Sequence, residues 1–345
     1  MKFDPEIRYR CIQCGKSCQR DWNIWTEPST ASGALRTLQE EHLIEEDGRC
    51  RLARDAAGCA FLQDRLCSIH SQFGYASKPV QCQQYPILLT ETADGLRVSA
   101  SYTCSAVLQK SGLPLEDQRE AVEDLLRRGA TIKRLTSGSD WPDIQRFEAR
   151  FEPAFVEWGW DSALRRAIRT MLAGRLAGVG GTPADWWDTH QGVRLGQDNS
   201  LGWVLGALLK PCLAQHQSQL WQAVDQALLE SGPLELPEFG YRGSGQEILG
   251  WARTPLDDEA DLERYRRSLW FRKQHLLCHS LFPGMLMLWT VGPLYRVLAR
   301  WCGSHGALEK MELNLLGHSY VAQQIYPLIC DYWISTYAYD GGGHK

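Results

Sequence analysis

The chain has no surplus of positive charge. Its 37 Lys and Arg stand against 41 Asp and Glu, a formal net charge of −4. Bulk attraction to nucleic acid or to anionic lipid is therefore not expected. The start, Met1-Lys2-Phe3-Asp4-Pro5-Glu6-Ile7-Arg8, lacks the apolar stretch of a secretory leader, so a cytoplasmic location is expected. There is no internal repeat and no low-complexity tract. No glycine-rich loop follows a strand. Gly178-Val179-Gly180-Gly181 comes after a helical stretch, and Gly240-Tyr241-Arg242-Gly243-Ser244-Gly245 lies in a connection without a βαβ frame. Both are expected to be caps or turns, and an ordinary nucleotide fold is excluded. His275 and His279 share a helix face, but no Glu follows His275, so the zinc-protease motif is absent and buried polar residues are expected. No set of two His and one carboxylate is visible.

One stretch, Gln274 to Tyr295, lacks Asp, Glu, Lys and Arg over a length that could nominally span a membrane. Pro283, Gly284, Gly292 and Pro293 interrupt it, and Arg266, Arg267, Arg272 and Lys273 crowd one side. Two buried core segments broken near Pro283 are expected, and no membrane span.

What is present is sulfur. Of 12 cysteines, eight fall early: Cys11, Cys14, Cys18, Cys50, Cys59, Cys67, Cys82 and Cys104. Cytosolic thiols are kept reduced, which favours metal ligation over disulfides. The remaining Cys212, Cys278, Cys302 and Cys330 sit singly in apolar helical stretches and are expected to act as small buried hydrophobes. With 345 residues, 44% hydrophobic and 23% charged, the chain can bury a core and form two domains. Fourteen tryptophans add large packing surfaces.

The expected fold is mainly α. An irregular, cysteine-rich, metal-binding region with a short β-hairpin occupies residues 1–110, and a helical domain follows over 111–340. In the first part, Leu35, Leu38, His42 and Leu43 suggest a short helix within Thr30 to Glu45, which Gly48 would end. Gln63-Asp64-Arg65 reads as a tight turn that brings Cys59 towards Cys67. Pro79 can open a helical turn carrying Cys82, and Pro86 would close it. Ala93-Asp94-Gly95 joins two strands as a hairpin leading to Cys104. Leu96, Val98, Ala100 and Tyr102 alternate with Arg97, Ser99 and Ser101, which predicts one buried face. Further on, helices are expected at Leu115 to Arg128, Asp161 to Ala177, Leu201 to Leu229 with a break at Pro211, Asp261 to Leu281, Gly284 to Trp301, Gly306 to Gly317 and Tyr320 to Tyr337. A long connection is expected at 231–245, and a flexible tail from Gly341.

Cys11 and Cys14 have the spacing by which one loop offers two thiolates to one metal, and Cys18 adds a third. No strand precedes them, which argues against a thioredoxin-like pair. The bacterial ferredoxin run is not matched. Cys14 and Cys18 begin a radical S-adenosylmethionine motif, but Asp21 stands where its third cysteine belongs. Eight thiols can make two four-sulfur sites, or one with spare thiols. Iron and zinc both accept such ligands; the abundance of sulfur favours a 4Fe–4S cluster, with zinc the alternative. Cys67-x-x-His70 is a second pairing, read as a helical His beside sufficient cysteines.

Several motifs in order resemble a bacterial cysteine-cluster family of zinc- or iron-chelating domains. They are Cys11-x-x-Cys14-Gly15-x-Ser17-Cys18, Cys59-Ala60-Phe61-Leu62, Cys67-Ser68-Ile69-His70, Cys82-Gln83-Gln84-Tyr85-Pro86 and Cys104. A narrower likeness is to its flagellin lysine-N-methylase branch, through Cys18-Gln19-Arg20-Asp21-Trp22-Asn23-Ile24, Leu66-Cys67-Ser68-Ile69 with Gly74, and Tyr102-Thr103-Cys104-Ser105. This resemblance implies an iron–sulfur protein that transfers methyl from S-adenosylmethionine to lysine side chains of a protein or peptide, flagellin included. Ser17 and the Ser105-Ala106 pair depart from the family pattern; Cys50 is the candidate to replace the sulfur missing at Ser17. Trp22, Trp25, Tyr85 and Tyr102 are aromatic candidates for holding a sulfonium, or for packing around the metal loops. The alternatives are a non-catalytic zinc- or iron-binding or maturation protein, and an iron-dependent enzyme that modifies peptide side chains.

Overall fold

The computed structural model describes residues 1–20, 22–26, 42–135, 139–176, 178, 180–189, 199–213, 218–230, 232–278, 280–316 and 326. The chain is mainly α-helical, and it divides into two compact units, Met1–Arg134 and Leu135–Lys345.

The first unit is built from short strands. They are β1 (Lys2–Phe3), β2 (Arg8–Tyr9), β3 (Trp25–Thr26), β4 (Leu43–Glu46), β5 (Arg49–Leu52), β6 (Arg54–Asp55), β7 (Gly58–Cys59), β8 (Leu62–Gln63), β9 (Leu66–Cys67), β10 (Ile87–Thr92), β11 (Gly95–Ala100), β12 (Leu113–Pro114) and β13 (Ile132–Arg134). Short helices lie between them: α1 (Lys16–Gln19), α2 (Ser68–Phe73), α3 (Val80–Gln84), α4 (Ser105–Leu108) and α5 (Arg119–Arg127). The largest sheet runs β1-β11-β10-β13. Its centre is the expected hairpin: Thr92 pairs with Gly95 across Ala93-Asp94. β1 joins β11 in parallel and β13 joins β10 in parallel. The first unit therefore extends beyond residue 110, because its sheet is completed only at Arg134.

Burial on β11 differs from the alternation that the sequence predicts. Val98 and Ala100 are buried, but so are Arg97, Ser99 and Ser101. The strand is central, and its polar face is covered and paired. Ser99 Oγ donates to the buried Asp4 carboxylate at 2.6 Å, and Arg97 Nη2 donates to Asp94 at 2.6 Å. The helix suggested over Thr30 to Glu45 lies mostly outside the described residues, but Leu43–Glu46 is strand β4. Gly48 ends no helix. With Asp47 it forms a two-residue loop, both at positive φ, that turns β4 into β5.

The second unit contains α6 (Trp141–Trp158), α7 (Trp160–Leu176), α8 (Pro183–Thr189), α9 (Asn199–Leu213), α10 (Ser218–Glu230), α11 (Gly245–Arg253), α12 (Ala260–Phe271) and α13 (Leu281–Met311). α13 is its core: Leu281 to Leu298 is buried throughout, packed against α7, α9, α11 and α12. This is the described helix long and apolar enough to cross a membrane, and its apolar window lies wholly inside the unit. Burial in protein accounts for its composition.

The breaks fall at other places than expected. Pro283 lies in the first turn of α13, where a missing N–H costs nothing. The interruption precedes it, after the 3-10 turn Gln274–Cys278. α13 runs through Pro293 and departs from helical geometry at Cys302 and Gly303. α9 continues past Pro211 to Leu213. The connection expected at 231–245 is a hairpin of β14 (Pro233–Leu236) and β15 (Tyr241–Ser244), with Gly240 left-handed at its turn. Of the helix expected over 320–337 only Tyr326 is described, buried with its hydroxyl on that of Thr290, and the tail, Cys330 and His279 lie outside the described residues.

Charges are buried in pairs around this core. Asp161 accepts from Arg266 at 2.6 Å and from Arg296 at 2.7 Å. Glu312 accepts from Arg272 and from the Tyr265 hydroxyl. Glu148 meets Lys273 and the fully buried His275, whose ring stacks on Trp270. Cys212 and Cys278 are buried, while Cys302 is half-buried with its thiol on the Leu298 carbonyl.

Candidate metal centre

The cysteine loops of the first unit take their shapes from local chemistry. Gly15, left-handed at φ 68, precedes α1 and lets the chain turn between Cys14 and Cys18. Asp64 and Arg65 both have positive φ and make the two-residue turn from β8 to β9, which pairs Leu62 with Cys67. Cys59 ends β7. Cys59, Cys67 and Cys82 all pack on one apolar cluster of Leu52, Phe61 and Ile69. Thus the expected turn carries Cys59 and Cys67 to a common support.

Cys82 sits in α3, in the turn that Pro79 opens. Its neighbour Gln83 is buried and fixes the approach: its amide nitrogen donates to the Lys78 and Ala76 carbonyls, and its oxygen accepts from Arg128. The Tyr75 hydroxyl donates to the Gln83 carbonyl at 2.5 Å. Cys104 immediately precedes α4, beside Thr103, whose hydroxyl bonds with that of Tyr85 at 3.1 Å.

Cys11, Cys14, Cys18, Cys67, Cys82 and Cys104 line a single cavity of about 310 Å³. Cys59 is not among the lining residues, although it is near enough to Cys18 and Cys67 for charge on either to raise its thiol further. Cys50 is placed elsewhere. It lies in β5, paired with Glu45, and its thiol faces the Glu45 carboxylate at 3.8 Å.

Burial is the main force on these thiols. It pushes Cys59 up to about 11 and Cys82 up to about 12, and it raises Cys18 and Cys104. Lys78 opposes the rise at Cys82 and Cys18. Arg65 and Lys78 are the charged side chains among the described lining residues, and both are cations. Left as thiols, these groups are desolvated and inert; a metal ion would stabilise them as thiolates.

Several wall residues carry no signal of their place in the sequence. Tyr9, Tyr75, Arg65 and Lys78 belong to no motif, although Tyr9 stands two residues before Cys11. Of the aromatic candidates, Tyr85 lines the cavity and Trp22 packs on it at 4.9 Å between ring centres. Trp25 is covered by the Arg49 guanidinium, and Tyr102 is fully buried. His70 also lines the cavity, edge-on to Tyr75 at 5.7 Å.

Whether the residues fit a metal depends on donors and distances together. Six converging thiols beside cations form a donor set suited to iron or zinc. Among the described residues, no three His, Cys, Asp or Glu side chains stand close enough to hold one ion. The donors are therefore gathered but not closed, and their fit is one of chemistry and placement.

No family model matches the chain, and no solved structure matches it. Among curated proteins, an uncharacterised protein of Methanocaldococcus jannaschii is 30% identical over 123 residues, 34% of this chain and 43% of that protein. The chain thus spans less than half the length of this relative.

Proposed function

We propose that the first unit is a metal-binding centre of the iron–sulfur type, with zinc as the alternative occupant. One observation carries this reading: six thiols converge on one cavity whose charged walls, Arg65 and Lys78, are cationic. A thiolate-bound centre is anionic, and adjacent cations offset that charge. A bound iron–sulfur centre would supply electrons or a Lewis-acidic iron, whereas zinc would supply rigidity.

The finer proposal is a cytoplasmic enzyme like a lysine N-methyltransferase. It transfers methyl from S-adenosylmethionine to a lysine amine of a protein or peptide, flagellin being the substrate that the resemblance implies. The order of the cysteine motifs supports this reading, as do the Tyr9, Tyr75 and Tyr85 rings in the wall, whose faces suit a sulfonium cation. The amine must first lose its proton. The apolar Ile12, Leu62 and Leu66 in the wall would favour the neutral amine by desolvation.

The described lining residues include no Asp or Glu to serve as base, which favours a second reading. In it the chain is a non-catalytic zinc- or iron-binding or maturation protein. An iron-dependent peptide-modifying enzyme is the remaining alternative.

Anaerobic purification with metal and sulfide analysis, and an electron paramagnetic resonance or Mössbauer spectrum, tests the first proposal. A brown preparation containing iron and sulfide is expected; a folded chain with neither iron nor zinc overturns it. Calorimetric titration of the loaded chain with S-adenosylmethionine tests the second. Saturable binding is expected, and its absence leaves the maturation reading.

A further inference from the structure

We propose that the mouth of the cysteine cavity is a docking site for a short polypeptide segment of a protein partner, one that carries an apolar side chain with acidic residues beside it. The inference rests on the reading of this cavity as the working site, and it names the segment that enters.

Three large apolar residues of the wall are open to solvent: Ile12 at 38%, Leu66 at 46% and Tyr75 at 48% exposure. They come from three separate segments, the loop before α1, the start of β9 and the 3-10 turn after α2. Scattered exposed apolar residues are ordinary, but a group gathered around one cavity marks an interaction site.

These segments hold one another in place. A Cβ built on Gly15 would lie 3.0 Å from the Arg65 carbonyl oxygen, so the loop carrying Ile12 rests on the turn that precedes Leu66. Tyr75 is fixed by its hydroxyl, which donates to the Gln83 carbonyl at 2.5 Å, and its ring meets His70 edge-on. Anchors held this firmly lose little freedom when a partner binds.

Charge selects the occupant. Arg65 and Lys78 are the charged residues of the described wall, and neither forms an ion pair among the described residues. Lys78 instead lies 5.5 Å over the Tyr75 ring. By contrast, Lys2, Arg51, Arg97 and Arg134 of the same unit each meet a carboxylate. The whole chain carries a net charge of −4, so the cationic mouth is a local feature and not a bulk one. An acidic segment would satisfy both cations while its apolar side chain covers Ile12, Leu66 and Tyr75. The concave shape favours a peptide over a lipid surface: about 310 Å³ admits an inserted side chain, whereas a bilayer presents a flat face.

On the methyl-transfer reading the same cations act on the target. Beside an incoming lysine amine they favour its neutral, nucleophilic form. Acidic neighbours in the segment offset the repulsion as it docks.

The test selects a randomised peptide library, displayed on phage, on the immobilised full-length chain. Retained peptides rich in Asp and Glu together with Leu, Ile or Phe are expected, and raised salt should release them. Leu66→Ser should weaken a selected peptide by at least about fivefold, the cost of truncating one interface anchor. Arg65→Glu with Lys78→Glu should turn the choice towards basic peptides, which a damaged fold would not do. The inference is overturned if no peptide is retained, if basic and acidic peptides are retained equally, or if neither set of substitutions alters binding. It is also overturned if the chain instead sediments with phosphatidylcholine–phosphatidylserine vesicles and loses this with Leu66→Ser, which assigns the mouth to lipid. Metal analysis of the same preparations separates the two readings. Iron or zinc without an acidic preference leaves the metal centre and removes the docking site; an acidic preference in a chain without metal does the reverse. If Leu66→Ser fails to fold, the charge reversal decides alone.

Discussion

Gly58 lies directly against Cys18, its Cα hydrogen aimed where a side chain would meet the Cys18 carbonyl oxygen at 2.6 Å and the Gln19 Cα at 2.8 Å. Its φ of 126 is also one that residues with a side chain rarely adopt. Gly58→Ala is therefore expected to cost about 1–3 kcal/mol from backbone strain alone, with the clash in addition. It should also weaken metal uptake, because the turn carrying Cys18 must move away from Cys59. Urea denaturation and metal titration of the full chain check both; unchanged stability would show that the two backbones do not touch.

Asp4 fastens the start of the chain to the central sheet. Its two carboxylate oxygens accept from Ser99 Oγ at 2.6 Å and from the Glu6 N–H at 3.0 Å. Asp4→Ala leaves the buried Ser99 hydroxyl and the partly buried Glu6 N–H without this partner, a loss of about 1–3 kcal/mol. Hydrogen exchange should show β1 and β11 losing protection before the rest of the first unit.

Glu148 is the counter-charge of the buried Lys273 ammonium and also meets the His275 ring at 3.1 Å within the second unit. Glu148→Ala removes that charge from a buried ammonium, and breaking a buried pair in this way costs about 3–5 kcal/mol. Replacing the pair together, as Glu148→Met with Lys273→Met, should recover a large part of the loss. Equilibrium denaturation of the single and double variants measures the coupling.

Acid should weaken the second unit through Asp161. Burial works to raise its carboxyl, but Arg266 and Arg296 together hold it below the ordinary carboxylate range. A group with a lowered folded pKa binds protons more readily in the unfolded chain. Its stabilisation is therefore complete above about pH 4 and disappears as pH falls through the lower folded value. Asp161→Asn should flatten the acid limb of the stability profile and lower stability at neutral pH. An unchanged acid limb would remove Asp161 from this role.

Local chemistry made some of the fold legible. Asp64-Arg65 and Ala93-Asp94 turn where the sequence places turns, because residues that tolerate tight loops separate short apolar runs. α7 lies where the sequence places a helix from Asp161, and α13 contains the apolar stretch expected from Gly284 to Trp301. Pairings made over long distance were not legible: β1 and β13 are two and three residues long, too short to carry a pattern, and they become strands only because a hairpin edge is available. The polar face of β11 was misread for the same reason, since Asp4 covers Ser99 from 95 positions away. The β14–β15 hairpin was hidden by Pro233, Pro237 and Gly240, which suit a connection equally well. Spacing identified the cysteines as a group but could not say which share a wall. Cys50 resembles the others in sequence and differs only in the strand that carries it.

The sheet of the first unit takes one edge from residues 2–3 and the other from residues 132–134, both laid on the same hairpin. A truncated expression fragment stopping at residue 110 would remove β12 and β13, unpairing β2 and exposing the open edge of β10. During synthesis the sheet cannot be completed until Arg134 has left the ribosome. Any effort to produce the cysteine-bearing part alone should therefore begin at Met1 and run to at least Arg134.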